Sequence, residues 1–376
     1  MCFDTKARRH EETRRSKQMK IDDIEAGVRD AVRRGMVIPA MPLALDANRK
    51  FDERRQRVLT RYYIDAGAGG IAVGVHSTQF EIRDPAVGLF RPVLQVVSEA
   101  ADEWCGRRGR MVLKVAGVCG STTQAVGEAR TALELGYHAS MVSLAALKDA
   151  TVPELVSHCR EMAAIMPIIG FYLQTAVGGR VLPRAFWREF ARIDNVLAIK
   201  MAPFNRYQTL DVVRGICEAG RENEIALYTG NDDNIVVDLL TPFRVETERG
   251  AVTARIVGGL LGHWAFWTRR AVELVDKIRA IRESGAVIPP KLLTRAAQIT
   301  DATGAIFDAA TGFAGCIPGV HEVLRRQGLF AGTWCLNPNE RMSPGQAEEI
   351  DRVYREYPYM NDDEWVRERL EMWNEE

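Results

Sequence analysis

Apolar runs rich in β-branched residues recur along the chain, and each is followed by a stretch whose apolar positions repeat at helical spacing. The runs predict strands at 36–43, 70–75, 111–118, 139–145, 168–174, 196–202, 225–229 and 255–261. The stretches after them predict helices at 53–66, 84–104, 122–136, 151–165, 183–192, 206–219, 233–241 and 264–283, with a short amphipathic helix over 22–34 ahead of them all. The strand runs are almost continuously apolar, as expected when both faces of a parallel sheet are covered. Capping residues mark several helix starts: Ser121-Thr122-Thr123, the Thr151/Glu154 box and Asp232-Asp233. Eight strand–helix repeats over about 250 residues predict a (β/α)8 TIM barrel; the alternative, an open doubly wound sheet, usually needs fewer strands. From about 289 the pattern turns wholly helical, at 290–300, 303–311, 316–327, 344–357 and 362–373. The expected organisation is a basic arm and short helix (1–34), the barrel (35–285) and a C-terminal helical extension (286–376).

Composition narrows the class of function. The 376 residues are 47% hydrophobic and 27% charged, ordinary for a large globular core. Formal net charge is zero, which gives no global attraction to nucleic acid or anionic membrane. No apolar run approaches the roughly 20 residues of a membrane span. The polar arm, with Arg8, Arg9, Arg14, Arg15, Lys17 and Lys20, lacks a signal-peptide core. Seven cysteines, at 2, 105, 119, 159, 217, 316 and 335, form no CxxC pair. That pattern predicts reduced thiols and a cytoplasmic protein.

Chemistry concentrates in Val196-Leu-Ala-Ile-Lys-Met-Ala202. The chain holds nine lysines against forty-one arginines, so a lysine inside an apolar strand is a pointed choice. Only its amine can lose a proton, attack a carbonyl and form an imine. A lysine that snorkels its ammonium to water is the structural alternative. Side chains alternate along a strand. Placing the bulky apolar set (Leu197, Ile199, Met201) on the helices turns Ala198, Lys200 and Ala202 inward. The same rule sends Ile169, Phe171 and Leu173 outward and Gly170, Tyr172 and Gln174 inward. Lys200 and Tyr172 then meet at the C-terminal mouth, where barrel active sites are built, and burial should lower the lysine pKa. Gly74-Val-His-Ser-Thr-Gln79 after strand two adds His76, Ser77 and Thr78, with Gly74 permitting close backbone approach. Further mouth candidates are Gly230 and Asp232 after strand seven, and Gly258 and His263 around strand eight.

These residues resemble the dihydrodipicolinate synthase and N-acetylneuraminate lyase superfamily of class I, Schiff-base aldolases. The family's strand-five YNxP-like and strand-six IKxA-like motifs match Phe171-Tyr172-Leu-Gln174 and Ile199-Lys200-Met-Ala202. Ile38-Pro-Ala-Met-Pro42, Val115-Ala-Gly117 and Gly230-Asn-Asp232 also look like family landmarks. The resemblance implies an imine-forming Lys200, a proton-relaying Tyr172, no cofactor or metal, a 2-oxo acid substrate such as pyruvate, and a homo-oligomer (dimer or tetramer). Gly74, Ser77, Thr78, Gln174, Gly230, Asp232 and Gly258 become expected substrate-binding residues. The chain departs from the family in reading Gly74-Val-His-Ser-Thr78 where a GTTGE-like loop stands, and Ala145-Ala146 where dihydrodipicolinate synthase places a second relay tyrosine. Arg180 is offset from the usual arginine, near Val177. The expected function is therefore a lyase or aldolase with a different acceptor, in which His76 serves as acid or base. The rivals are a metal-dependent barrel lyase or hydrolase using His76, His263 and Asp232 or Asp233, and a non-catalytic oxo-acid-binding relative.

Overall fold

The computed structural model describes residues 18–375. Arg8, Arg9, Arg14, Arg15, Lys17 and Cys2, read above as part of a basic arm and a thiol set, lie outside the described residues. Eight parallel strands form the barrel: β1 (Val37–Pro39), β2 (Gly70–Val73), β3 (Leu113–Val118), β4 (Ala139–Val142), β5 (Ile168–Leu173), β6 (Val196–Ala202), β7 (Ala226–Thr229) and the C-terminal part of β9 (Gly250–Leu261). A parallel bridge between Ala40 and Ala72 closes the ring from β1 to β2. The (β/α)8 expectation holds. One addition was not foreseen: β8 (Pro242–Thr247) pairs antiparallel with the first half of β9, making a hairpin that runs out of the barrel.

The helices follow their strands. α1 (Ala26–Arg34) precedes the barrel; α2 (Glu53–Ala66), α3 (Phe90–Arg108), α4 (Thr122–Glu134), α5 (Val152–Ala163), α6 (Arg184–Ala191), α7 (Arg206–Ala219), α8 (Ile235–Leu240) and α9 (Thr268–Ser284) surround it. The Asp52 side chain accepts the Arg55 N–H to start α2, and Asn205 does the same for Tyr207 and Gln208 at α7. The Thr151/Glu154 capping box at α5 forms as expected. Residues 290–300 and 303–311, expected as two helices, are one helix, α10 (Pro290–Ile306), with a short 3-10 turn after it, because nothing between them breaks the pattern. α11 (Cys316–Arg326) and α12 (Gln346–Glu356) follow, and the expected 362–373 helix divides into α13 (Asp363–Arg367) and α14 (Leu370–Asn374). Asp362 anchors this tail to the barrel layer: its carboxylate accepts from the Tyr62 hydroxyl at 2.9 Å and the Gln327 amide at 2.6 Å.

Two cores result. One lies between strands and helices. The other fills the barrel, and there Ile24, Val28 and Val32, on and just before α1, pack with Ile38, Leu113, Met141 and other inward side chains. The Tyr228 hydroxyl donates to the Val32 carbonyl at 2.9 Å, so α1 plugs the N-terminal end of the barrel. The C-terminal end stays open for a site.

The inward set of β5 is the reverse of the expected one. Ile169, Phe171 and Leu173 belong to the barrel interior, whereas Ile168 and Tyr172 belong to the helix layer. The cause is α6, which presents Phe186, Trp187 and Phe190 to the sheet. A Cβ on Gly170 would lie 2.8 Å from the Phe190 ring, so that glycine is the space the helix needs. In β6 the expected faces hold for Ile199, Met201 and Ala198. Leu197 is the exception: a bulge opposite Ile168/Ile169 turns it inward.

Candidate active site

Lys200 projects from β6 into a cavity at the C-terminal mouth. The cavity is lined by the β2 loop, the ends of β5, β6, β7 and β9, and side chains of α11 and the segment before it. Gly230 makes room for the lysine: a Cβ there would stand 2.7 Å from Lys200 Cε and 2.8 Å from Ala202 Cβ. The ammonium lies 4.7 Å from the centroid of the Phe171 ring. Lys200 makes no direct hydrogen bond or ion pair among the described residues, although it is only 7% exposed. The second buried lysine, Lys114, shows the usual solution. It points to the helix layer, where Asp102 takes its charge at 2.6 Å and Ser98 accepts at 2.9 Å.

Burial without a contacting counter-ion pulls the Lys200 pKa down to about 8, a fall opposed by the Asp232 charge. Asp232 is buried in the same cavity, and burial pushes its pKa up to about 7; the Lys200 charge and the His263 N–H that it accepts at 2.8 Å oppose the rise. The two titrate as a pair. His76 lines the cavity on the β2 side. Burial, and then the Lys200 charge, lower its pKa to about 4, so its imidazole is neutral at pH 7.

The β2 loop is built to present backbone. Its Gly74 has φ 72°, a left-handed turn open to glycine, and sits 3.4 Å from the Gly117 carbonyl by its would-be Cβ. Thr78 Oγ1 accepts from the Gly74 and Val75 N–H groups and donates to the Met41 carbonyl at 2.7 Å. Ser77 Oγ donates to the Ala40 carbonyl at 2.8 Å, which leaves its oxygen lone pairs as acceptors. The N–H groups of His76 and Ser77, first in the 3-10 turn, have no hydrogen-bond acceptor among the described residues. Free N–H groups at the start of a helical turn suit an anion.

Of the sequence-derived candidates, Lys200, His76, Ser77, Gln174, Gly230 and Asp232 share this cavity. Tyr172 does not. Its ring packs 5.4 Å from Trp187, and its hydroxyl accepts the Leu182 N–H at 3.0 Å in the helix layer. Phe171 takes the inward place, so no strand-five hydroxyl faces Lys200. Thr78 and Gly74 shape the loop from behind without lining the cavity. Gly258 also lies off it: a Cβ there would meet the Met36 backbone at 2.6 Å, so it serves the packing of α1 and β1. The metal set does not converge. His263 Nδ1 is held by Thr303 Oγ1 at 2.9 Å, and Asp233 faces Arg206 at 4.0 Å. Among the described residues no group of three or more His, Cys, Asp or Glu is placed to hold a metal. The six described cysteines are free thiols. No helix among the described residues is long and apolar enough to cross a membrane.

Sequence reasoning missed the upper wall: Phe204 after β6, and Phe307, Phe313, Cys316, Ile317 and Val320 from the C-terminal helices. Their only signal was apolar spacing, which equally describes core.

No protein-family model matches the sequence, and no curated protein matches it. Solved structures do share its fold. The dihydrodipicolinate synthase of Acinetobacter baumannii, complexed with pyruvate, is 16% identical with a TM-score of 0.67, over 86% of this chain and 99% of that one. A prophage protein of the dihydrodipicolinic acid synthase family from E. coli K12, also in complex with pyruvate, is 15% identical with a TM-score of 0.66, over 86% and 98%. The N-acetylneuraminate lyase of Fusobacterium nucleatum is 14% identical with a TM-score of 0.65, over 86% and 99%. The chain therefore carries the barrel and helical extension of the dihydrodipicolinate synthases and N-acetylneuraminate lyases, at a sequence distance where the fold is what they share.

Proposed function

We propose that the protein is a Schiff-base-forming lyase or aldolase that acts on pyruvate or another 2-oxo acid through Lys200. One observation carries the reading: a buried amine, its pKa lowered by that burial, stands without a hydrogen bond or ion pair among the described residues in a cavity at the C-terminal mouth of the barrel. The lowered pKa raises the share of neutral, nucleophilic amine near neutral pH above that of an ordinary lysine. The pyruvate complexes of the fold neighbours agree with this choice of substrate.

The Lys200 lone pair adds to C2 of the oxo acid. The carbonyl oxygen takes up two protons and leaves as water, giving an iminium. The electron pair of a bond at C3, either C–C or C–H, then moves into the C=N⁺ to form the enamine. Protonation at C3 and addition of water return the amine and the product. Asp232, poised to exchange a proton near neutral pH, carries the protons at the oxygen and at C3. His76, neutral at pH 7, assists from the opposite side. The free N–H groups of His76 and Ser77 bind the carboxylate. Phe171 supplies no proton; it stabilises the cationic nitrogen by its π face. A lyase with an acceptor other than that of dihydrodipicolinate synthase fits this set, because that enzyme's relay tyrosines have no counterpart in the cavity.

Exchange of the pyruvate methyl protons into D2O, followed by NMR, tests the reading without knowledge of the acceptor. Wild-type protein is expected to exchange them and Lys200→Arg to lose exchange. Equal exchange in both would overturn the assignment.

A further inference from the structure

The cavity has two unlike ends. His76, Ser77, Gln174, Lys200 and Asp232 account for its polar side chains, and all but Gln174 cluster around the amine and the free N–H groups. Everything else on the wall is hydrocarbon, proline, glycine or the Cys316 thiol. Above Lys200 the wall is made by Leu173, Phe204, Phe307, Phe313, Ile317 and Val320, from β5, the β6–α7 loop and the C-terminal helices.

Two of these aromatics sit where an aromatic is costly. Phe204 has φ 51° and Phe313 φ 70°, the left-handed region that glycine fills without strain. Both are held there. The Phe204 N–H donates to Asn231 Oδ1 at 3.1 Å, and the Phe313 N–H donates to the Asp308 carbonyl at 2.9 Å. Their rings meet edge to face, 5.8 Å between centroids, and both are half-buried at the cavity mouth. Strain that places two aromatic edges on one opening is expected of a ligand clamp. A polyhydroxy chain would find Gln174 as its main partner here and would leave most hydroxyls unpaired against hydrocarbon, which is costly.

Resting on the Lys200 imine chemistry proposed above, we infer that the group borne on C4 of the substrate is apolar, an aryl or alkyl chain that packs against the Phe204–Phe313 pair at the cavity mouth. For cleavage of a 4-hydroxy-2-oxo acid, Lys200 forms the iminium at C2 with loss of water. The C4 hydroxyl gives up its proton and C4 becomes an aldehyde carbon as the C3–C4 pair moves into the enamine. C3 takes up a proton, and water releases pyruvate. The products are pyruvate and an apolar aldehyde, and the reverse is their condensation.

The test compares kcat/KM for pyruvate release from 4-hydroxy-2-oxobutanoates bearing a phenyl, a propyl or a trihydroxypropyl group at C4. Pyruvate trapping on Lys200 by borohydride is measured on the same protein. One methylene in an apolar pocket is worth about 10–200-fold. The phenyl or propyl compound should therefore exceed the trihydroxypropyl compound by at least about 100-fold, and Phe313→Ser should reduce that ratio about tenfold or more. Pyruvate trapping together with equal or better cleavage of the trihydroxypropyl compound, or with no cleavage of any of the three, overturns the inference and leaves the imine reading standing. Absence of pyruvate trapping overturns both.

Discussion

Lys200 and Phe171 stand side by side on adjacent strands, register partners in β5 and β6, with the ammonium 4.7 Å from the ring centroid. A tyrosine in the inward place would put a hydroxyl there. This chain puts a π face there instead, so the amine's proton partner must come from elsewhere, and Asp232 is the buried carboxyl that senses its charge.

The proposed mechanism accordingly gives Tyr172, in the helix layer, no part. Tyr172→Phe should leave imine trapping at its wild-type rate. It should cost about 1–3 kcal/mol of stability, because the Leu182 N–H loses its buried acceptor. Trapping rate and urea midpoint, measured together, check both halves; a loss of trapping in a stably folded variant would restore the tyrosine to the mechanism.

Asp232 holds the Lys200 pKa up, so removing its charge should let that pKa fall further. The neutral amine is the nucleophile, and the rate of imine formation therefore rises with pH through the lysine's pKa. In Asp232→Asn that rise should begin at lower pH than in wild type. The amide can still accept the His263 N–H, so the loop should hold its shape. A pH series of trapping rates reads the shift, and a rise displaced to higher pH would contradict the account.

Gly230 was expected to touch substrate; it lines the cavity and also makes room for the lysine. In Gly230→Ala the new methyl would fall 2.7 Å from Lys200 Cε, and the lysine would have to leave its position. Misplacing a reacting group by about an ångström can cost roughly 100-fold. Trapping should slow by at least about tenfold, with the folded structure retained by circular dichroism.

Two buried imidazoles outside the cavity should make the fold acid-sensitive. Burial lowers the pKa of both His263 and His321 to about 4. The unfolded chain takes up those protons near pH 6.5, whereas the folded chain does not. Their contribution to stability is therefore complete above about pH 6.5 and lost as pH falls towards 4. At pH 5 each costs on the order of 2 kcal/mol. Urea midpoints at pH 7 and pH 5 should differ, and His321→Phe should narrow the difference.

The barrel, and the place of Lys200 on a strand that ends at its C-terminal mouth, were legible because near-continuous apolar runs and helical spacing are strong, local signals. The limits of α2 and α7, 53–66 and 206–219, agree with the expected spans to the residue, since an aspartate and an asparagine cap them. The face of β5 was not legible. The rule that large apolar side chains meet the helices failed because α6 brings three aromatics of its own and needs Gly170 for room. Phe204 and Phe313 were also hidden: nothing local marks an aromatic that will adopt a positive φ, since the constraint comes from Asn231 and Asp308 after folding. Gly258 was misassigned because a glycine needed for the close approach of β1 reads in sequence like one needed for a ligand.

The central claim is most directly tested by incubating the full chain with pyruvate and sodium borohydride, then taking the intact mass and a peptide map. The account predicts a single covalent pyruvate adduct located on Lys200 and absent from Lys200→Arg. Folded protein of verified mass that takes up no adduct, or takes it up on another lysine, would contradict it.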